Sequence, residues 1–127
     1  MKKTFKKTIA SIMSVVSLAM CVTGMSASAS SGTQTDSYSK FYYYRNYTDC
    51  GCELTNTSGS SRYAQVSMTV YTNNGTKYRS NEGVIANRET IGCYYSGNII
   101  TGVEFYGTLY SGTAPYGSPF SSYYATL

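Results

Sequence analysis

The sequence predicts an all-β fold: a small antiparallel β-sandwich, two layers thick, built from six to seven short strands. Three observations lead there. Residues 62–71 alternate strictly, with Ala64, Val66, Met68 and Val70 on one parity and Tyr63, Gln65, Ser67, Thr69 and Tyr71 on the other. That period of two marks a strand with one buried and one wet face. Tyr- and Thr-rich stretches are punctuated by Gly- and Asn-bearing turns, the rhythm of sandwiches and small barrels. Finally, no segment carries an apolar period of about 3.6 residues, the mark of a helix.

The first 29 residues stand apart from this pattern. Lys2, Lys3, Lys6 and Lys7 form a basic start, residues 9–22 are apolar, and Ala27-Ser28-Ala29 makes an A-x-A box. This order of parts is a Sec signal peptide, cleaved between Ala29 and Ser30. The apolar run is shorter than the ~20 residues of a spanning helix, and Met20 before Cys21 does not suit a lipidation box. The expected organisation is therefore a signal peptide (1–29), a flexible Ser/Thr/Gly-rich leader (30–39) and a β-sandwich domain (40–127). The chain is expected to be secreted, with no stable membrane anchor and no sortase motif.

Removing the signal changes the charge. The full chain is formally +4, but four of its ten bases lie in the signal and none of its six acids does. Lys40, Arg45, Arg62, Lys77, Arg79 and Arg88 then balance the acids. Clustered basic charge, which nucleic acid and anionic membranes require, is missing from that balance. All 15 tyrosines fall after residue 29, with no Trp and no His anywhere.

Taken in order, residues 40–48 are a strand by aromatic content, and Cys50-Gly51-Cys52 leads into a second in which Cys52 and Leu54 share a face. Residues 62–71 and the stretch after Asn73-Asn74-Gly75 form a hairpin. A three-residue loop with a left-handed Gly75 sets Val70 opposite Tyr78 and turns Lys77 and Arg79 outward. Residues 81–87 are a turn and a short strand near Val84. Residues 88–95 and 99–110 are expected to pair as a second hairpin, Ile91 with Val103 and Tyr95 with Ile99. A last strand is expected at 121–126.

Three cysteines remain after the signal. Cys52 and Cys93 share the core parity, so the possible outcomes are a Cys52–Cys93 disulfide, with Cys50 free or bridging two chains, a strained bridge within Cys50-Gly51-Cys52, and three buried thiols. Without His there is no triad, no Cys–His pair and no His metal ligand. Glu104 is the one acid well inside a strand, and in the expected register it lies diagonal to Arg88 as a cross-strand ion pair. No catalytic residue, cofactor or metal site is assigned.

One constellation remains. The expected second hairpin sets Gly92 opposite Gly102, with Tyr94 on one side and Arg88 and Tyr106 on the other. A bare backbone strip between aromatic rings suits a sugar or a partner's chain. The plainer alternative is that tyrosine rings fold over the glycines and shield the ladder. The expected function is binding rather than catalysis, the partner being an extracellular glycan, a surface protein or a second copy.

The A-x-A signal, Tyr44-Arg45-Asn46-Tyr47, the alternating strand with its Asn-Gly turn and Phe105-Tyr106 together resemble the lactococcin-type bacteriocins. The resemblance covers about half of the chain after the signal. It implies a Sec-exported β-sandwich acting on cell-wall precursor. The chain lacks the Trp and His in which that family is rich, and no residue role is carried over.

Expression of the full chain in a Sec-competent bacterium should release a protein whose first residue is Ser30. N-terminal sequencing checks this, and Ala29→Arg should leave the precursor uncleaved.

Overall fold

The computed structural model describes residues 30–127, and the expected signal peptide at 1–29 lies outside the described residues. Eight strands follow in order: β1 (Ser30–Thr35), β2 (Ser39–Arg45), β3 (Asp49–Asn56), β4 (Arg62–Thr72), β5 (Gly75–Ile85), β6 (Thr90–Ser96), β7 (Ile100–Tyr110) and β8 (Pro119–Thr126). They form two four-stranded antiparallel sheets, sheet A in the order β1-β2-β3-β6 and sheet B in the order β5-β4-β7-β8. The all-β sandwich read from the alternation is the fold observed.

The core lies between the layers. Val66, Met68 and Val70 of β4 and Phe105 and Leu109 of β7 face Phe41 of β2, Cys50, Cys52 and Leu54 of β3, and Ile91, Cys93 and Tyr95 of β6. Phe41 sits at its centre, fully buried. Its ring stacks on Tyr123 at 5.4 Å and lies against Gly107, where an added Cβ would come within 2.6 Å of it. Gly107 is therefore required by the ring, not by a turn.

Residues 30–35 are not a flexible leader. They pair with β2 along their length, from Ser30 opposite Arg45 to Thr35 opposite Lys40. The Tyr43 ring covers Gly32, with its hydroxyl 2.4 Å from where a Cβ would stand. Backbone pairing and one tyrosine hold a polar strand that adds little to the core, so composition alone hides it.

The first hairpin also departs from expectation. Thr72 pairs with Gly75 across a two-residue turn, Gly75 at φ 96°, so Val70 faces Lys77 and Met68 faces Arg79. The expected Val70–Tyr78 pairing rested on keeping charge out of the core. That premise fails because β5 is an edge strand and its inner parity overhangs the rim of sheet A. There Arg79 lies over the Tyr95 ring at 5.4 Å, and the Asn81 side-chain amide donates to the Gly92 carbonyl at 3.0 Å. For the same reason β5 runs unbroken through Ser80, Asn81 and Glu82, where a turn was expected.

The expected second hairpin does not form. β6 pairs with β3, β7 pairs with β4 and β8, and the chain changes sheets between Ser96 and Ile100. Backbone bonds fix that arch: the Gly97 amide donates to Thr48, Ile100 to Tyr47 and Asn73 to Ile99. At the opposite end, fully buried Asn56 ties two other crossings. Its side-chain amide donates to the Ser60 and Ile85 carbonyls, and its backbone carbonyl accepts from the Arg88 backbone amide, Arg88 standing at φ 71°.

Phe41→Ala should cost about 3–5 kcal/mol of unfolding free energy, and Gly107→Ala about 1–3 kcal/mol by overpacking. Urea unfolding at constant m-value measures both. Phe41→Leu combined with Gly107→Ala should be less destabilised than the sum of the single changes, because the two positions share one space.

Candidate functional site

The residues expected to form one groove lie on opposite faces of the molecule. Gly92 and Tyr94 project from the outer face of sheet A, where Gly92 is opposite Glu53 and Tyr94 opposite Gly51. Gly102 and Tyr106 belong to the outer face of sheet B, opposite Tyr71 and Ser67. Arg88 sits in the β5–β6 connection. The Gly92–Gly102 strip therefore does not exist, because β6 and β7 were assigned to one sheet on parity that two facing sheets satisfy equally well.

Sheet A shields its own glycines. The Tyr94 ring lies over Gly92 and Gly51, so close that a Cβ would stand 2.3 Å from its hydroxyl at Gly92 and 2.6 Å from ring carbon at Gly51. Tyr42 and Tyr44 stack at 6.1 Å beside it. Tyrosine rings covering a glycine ladder close this face as a groove.

The outer face of sheet B is different. Its floor is hydroxylic: Ser67 and Thr69 of β4, Ser80 of β5, Thr108 of β7 and Ser122 of β8 share the outward parity. An aromatic–carboxylate cluster stands at each end. At one end the Tyr71 and Tyr106 hydroxyls donate to the two oxygens of Glu104, at 3.1 and 2.9 Å, and Tyr124 packs on Tyr106 at 5.0 Å. Glu104 is thus held by two phenols, not by Arg88; its strand neighbours are Thr69 and Thr126.

At the other end Tyr63 donates to Glu82 and Tyr116 donates to both carboxylate oxygens, at 2.8 and 2.9 Å. Tyr116 packs edge to face on Tyr63 and on Tyr110, and those two rings are tilted against each other. Tyr116 comes from the β7–β8 loop at φ 57°, a left-handed conformation that costs a non-glycine residue free energy and persists only when its surroundings fix it. The bonds to Glu82 tie the loop to the face, together with the backbone bonds Tyr63 to Gly112 and Ser111 to Ser118. Tyr71, Tyr78, Tyr106, Tyr116 and Tyr124 remain exposed.

Phenol–carboxylate bonds favour the ionised acid and the neutral phenol. The Tyr63 and Tyr116 hydroxyls hold the Glu82 carboxyl below its usual range. The reciprocal bonds push the Tyr63, Tyr71 and Tyr116 phenols up, and Tyr106 up to about 12. The face therefore presents a fixed anion in its Glu82 cluster at neutral pH, oriented by donors rather than neutralised by a cation.

The three thiols are buried. Cys52 and Cys93 are unbonded with sulfurs 3.7 Å apart, and Cys50 lies 3.8 Å from the Met68 sulfur. Among the described residues no three His, Cys, Asp or Glu side chains converge as metal ligands. No protein-family model matches the chain, and no curated protein matches it.

Sequence reasoning singled out Tyr106 and Glu104 but gave them the wrong neighbours. Tyr71, Glu104, Tyr106 and Tyr124 all lie on outward parities, so a correct β4–β7–β8 order would have assembled their cluster. The Glu82 cluster had no comparable signal, since Tyr116 reaches it from an irregular loop.

Glu82 has a lowered folded pKa, so its contribution is present above the unfolded carboxylate value and lost as pH falls through the lowered folded value. Lowering pH through that depressed value should release Tyr116 from the face, read as a shift of its ring NMR signals. Glu82→Gln should remove that acid transition while leaving the sandwich folded.

Proposed function

We propose that this chain is an exported, non-catalytic binding protein whose ligand surface is the outer face of sheet B. Its ligand is an extracellular polysaccharide, neutral or amine-bearing. The observation that carries this reading is the pair of tyrosine–glutamate clusters bracketing a serine–threonine floor. Sugars offer C–H faces that pack on aromatic rings and hydroxyls that pair with carboxylates and side-chain hydroxyls. Rings and anions fixed in advance lose little conformational entropy on binding.

Charge narrows the class. Glu82 and Glu104 share the outward parity of sheet B, whereas Lys77, Arg79 and Arg62 occupy the inward parity. An anionic glycan would meet repulsion there, while an amine-bearing one would be attracted. Together the two clusters span most of β4, Tyr63 to Tyr71, about 26 Å at strand rise. This favours a chain of sugars over a single one.

Separate anchoring of the two carboxylates, Glu104 by Tyr71 and Tyr106 and Glu82 by Tyr63 and Tyr116, supports binding over hydrolysis. Glu82 and Glu104 are two strands and four residues apart in register, about 16 Å between Cα atoms. Glycoside hydrolysis requires carboxyl groups about 5–9.5 Å apart.

Retention on insoluble cell-wall polysaccharides, followed by a glycan array, tests the reading. Tyr106→Ala and Tyr124→Ala should each weaken binding about tenfold. Thr33→Ala, exposed on the other sheet, should leave it unchanged. Failure to bind any polysaccharide, or equal losses in all three variants, would discard it.

A further inference from the structure

We infer that the mature fold carries a cross-strand disulfide between Cys52 and Cys93, with Cys50 kept as a buried thiol. Cys52 of β3 and Cys93 of β6 are direct partners in the antiparallel ladder, with sulfurs 3.7 Å apart. Residues opposed in this way have Cα atoms about 4.5 or 5.5 Å apart. Both values fall within the ~4.4–6.8 Å range that a disulfide spans. Closing the sulfurs to about 2 Å therefore takes side-chain rotation and no displacement of either strand.

Cys50 is excluded by position. It stands opposite Tyr95, one diagonal away from Cys93, a separation of about 7–8 Å. Its sulfur points instead to Met68, at 3.8 Å. A Cys50–Cys52 bridge would pucker β3, whose pairing with β6 runs without a shift from Asp49 to Thr55. Three cysteines thus admit one unstrained pair.

The link joins positions 41 apart, and the chain between them leaves sheet A, builds β4 and β5 in sheet B and returns. A bond there fixes the return of β6 to β3, and closing so long a loop removes much of the unfolded chain's freedom.

The chemistry is thiol–disulfide exchange with a low-molecular-weight disulfide such as oxidised glutathione. One cysteine thiolate attacks it, forming a mixed disulfide and expelling one glutathione thiolate. The second cysteine thiolate attacks the protein sulfur of that mixed disulfide and expels the other. Two protons pass from the cysteines to the two glutathione thiols, and the oxidant takes up the electron pair. Cys52 is fully buried and Cys93 is 6% exposed, and burial with the neighbouring thiol pushes the Cys52 thiol up. Exchange accordingly precedes closure of the sandwich, after which the bond is sheltered.

The test is refolding of the reduced, denatured chain from Ser30 to Leu127, which holds the whole sandwich and three of the four cysteines, in an oxidising glutathione buffer, followed by acid quench, alkylation under denaturing conditions and mass spectrometry. One alkylated residue, Cys50, and a Cys52–Cys93 cross-linked peptide are expected. Cys50→Ser should keep the cross-link, and Cys93→Ser and Cys93→Ala should each lose it. The bridged protein should melt more than about 10 °C above its reduced form. Three alkylated cysteines in folded soluble protein, or any bridge through Cys50, overturns the inference. These readouts do not depend on polysaccharide binding.

Discussion

The pairing of β3 with β6 is the contact on which the rest of the arrangement depends. It brings β6 back into sheet A after the chain has crossed to sheet B, so β7 is free to lie between β4 and β8. It places Cys52 opposite Cys93 and Tyr94 opposite Gly51, which fills the core on one side and closes the glycine ladder on the other. Were β6 to pair with β7 instead, Glu104 would lose Tyr71 as a neighbour and the outer face of sheet B would have no cluster at that end. Asn56 and the 96–100 arch secure this order by satisfying the backbone groups that sheet crossings leave exposed.

Much of the fold was legible in the sequence. Strict alternation in β4 declared a two-layer antiparallel sandwich, because one face of that strand had to be buried. Register and partner choice were less accessible, for physical reasons. Parity records which side of a strand faces the core, but two strands in facing sheets satisfy it as well as two neighbours in one sheet. Hence Ile91 and Val103 looked like a cross-strand pair, whereas they line the core from different sheets. The register of β5 misled because Lys77 and Arg79 were treated as excluded from inward positions, which holds for a central strand and not for an overhanging edge. β1 was hidden because an edge strand covered by Tyr43 needs no apolar residues of its own.

The candidate site followed the same division. Tyr106 and Glu104 stood out as an aromatic and an acid on an outward parity. Their meaning came from Tyr71 and Tyr124, which only sheet order brings near. Glu82 falls in the 81–87 stretch that reads as a turn and a short strand. Its role emerges from Tyr116, whose left-handed backbone is held by the bond that it makes. In both clusters tyrosine works as a hydrogen-bond donor first and a stacking surface second. Such a ring keeps one orientation and fixes the direction of its carboxylate partner.

The two margins of sheet B are unlike. β5 presents Lys77 and Arg79 on its inward side, so another sheet cannot extend the layer there without carrying charge into a shared interior. β8, the opposite margin, contains no charged residue between Pro119 and Thr126. A strand approaching sheet B would meet charge along β5, and along β8 a margin whose Tyr124 carbonyl already accepts from the Gln34 side-chain amide at 3.0 Å.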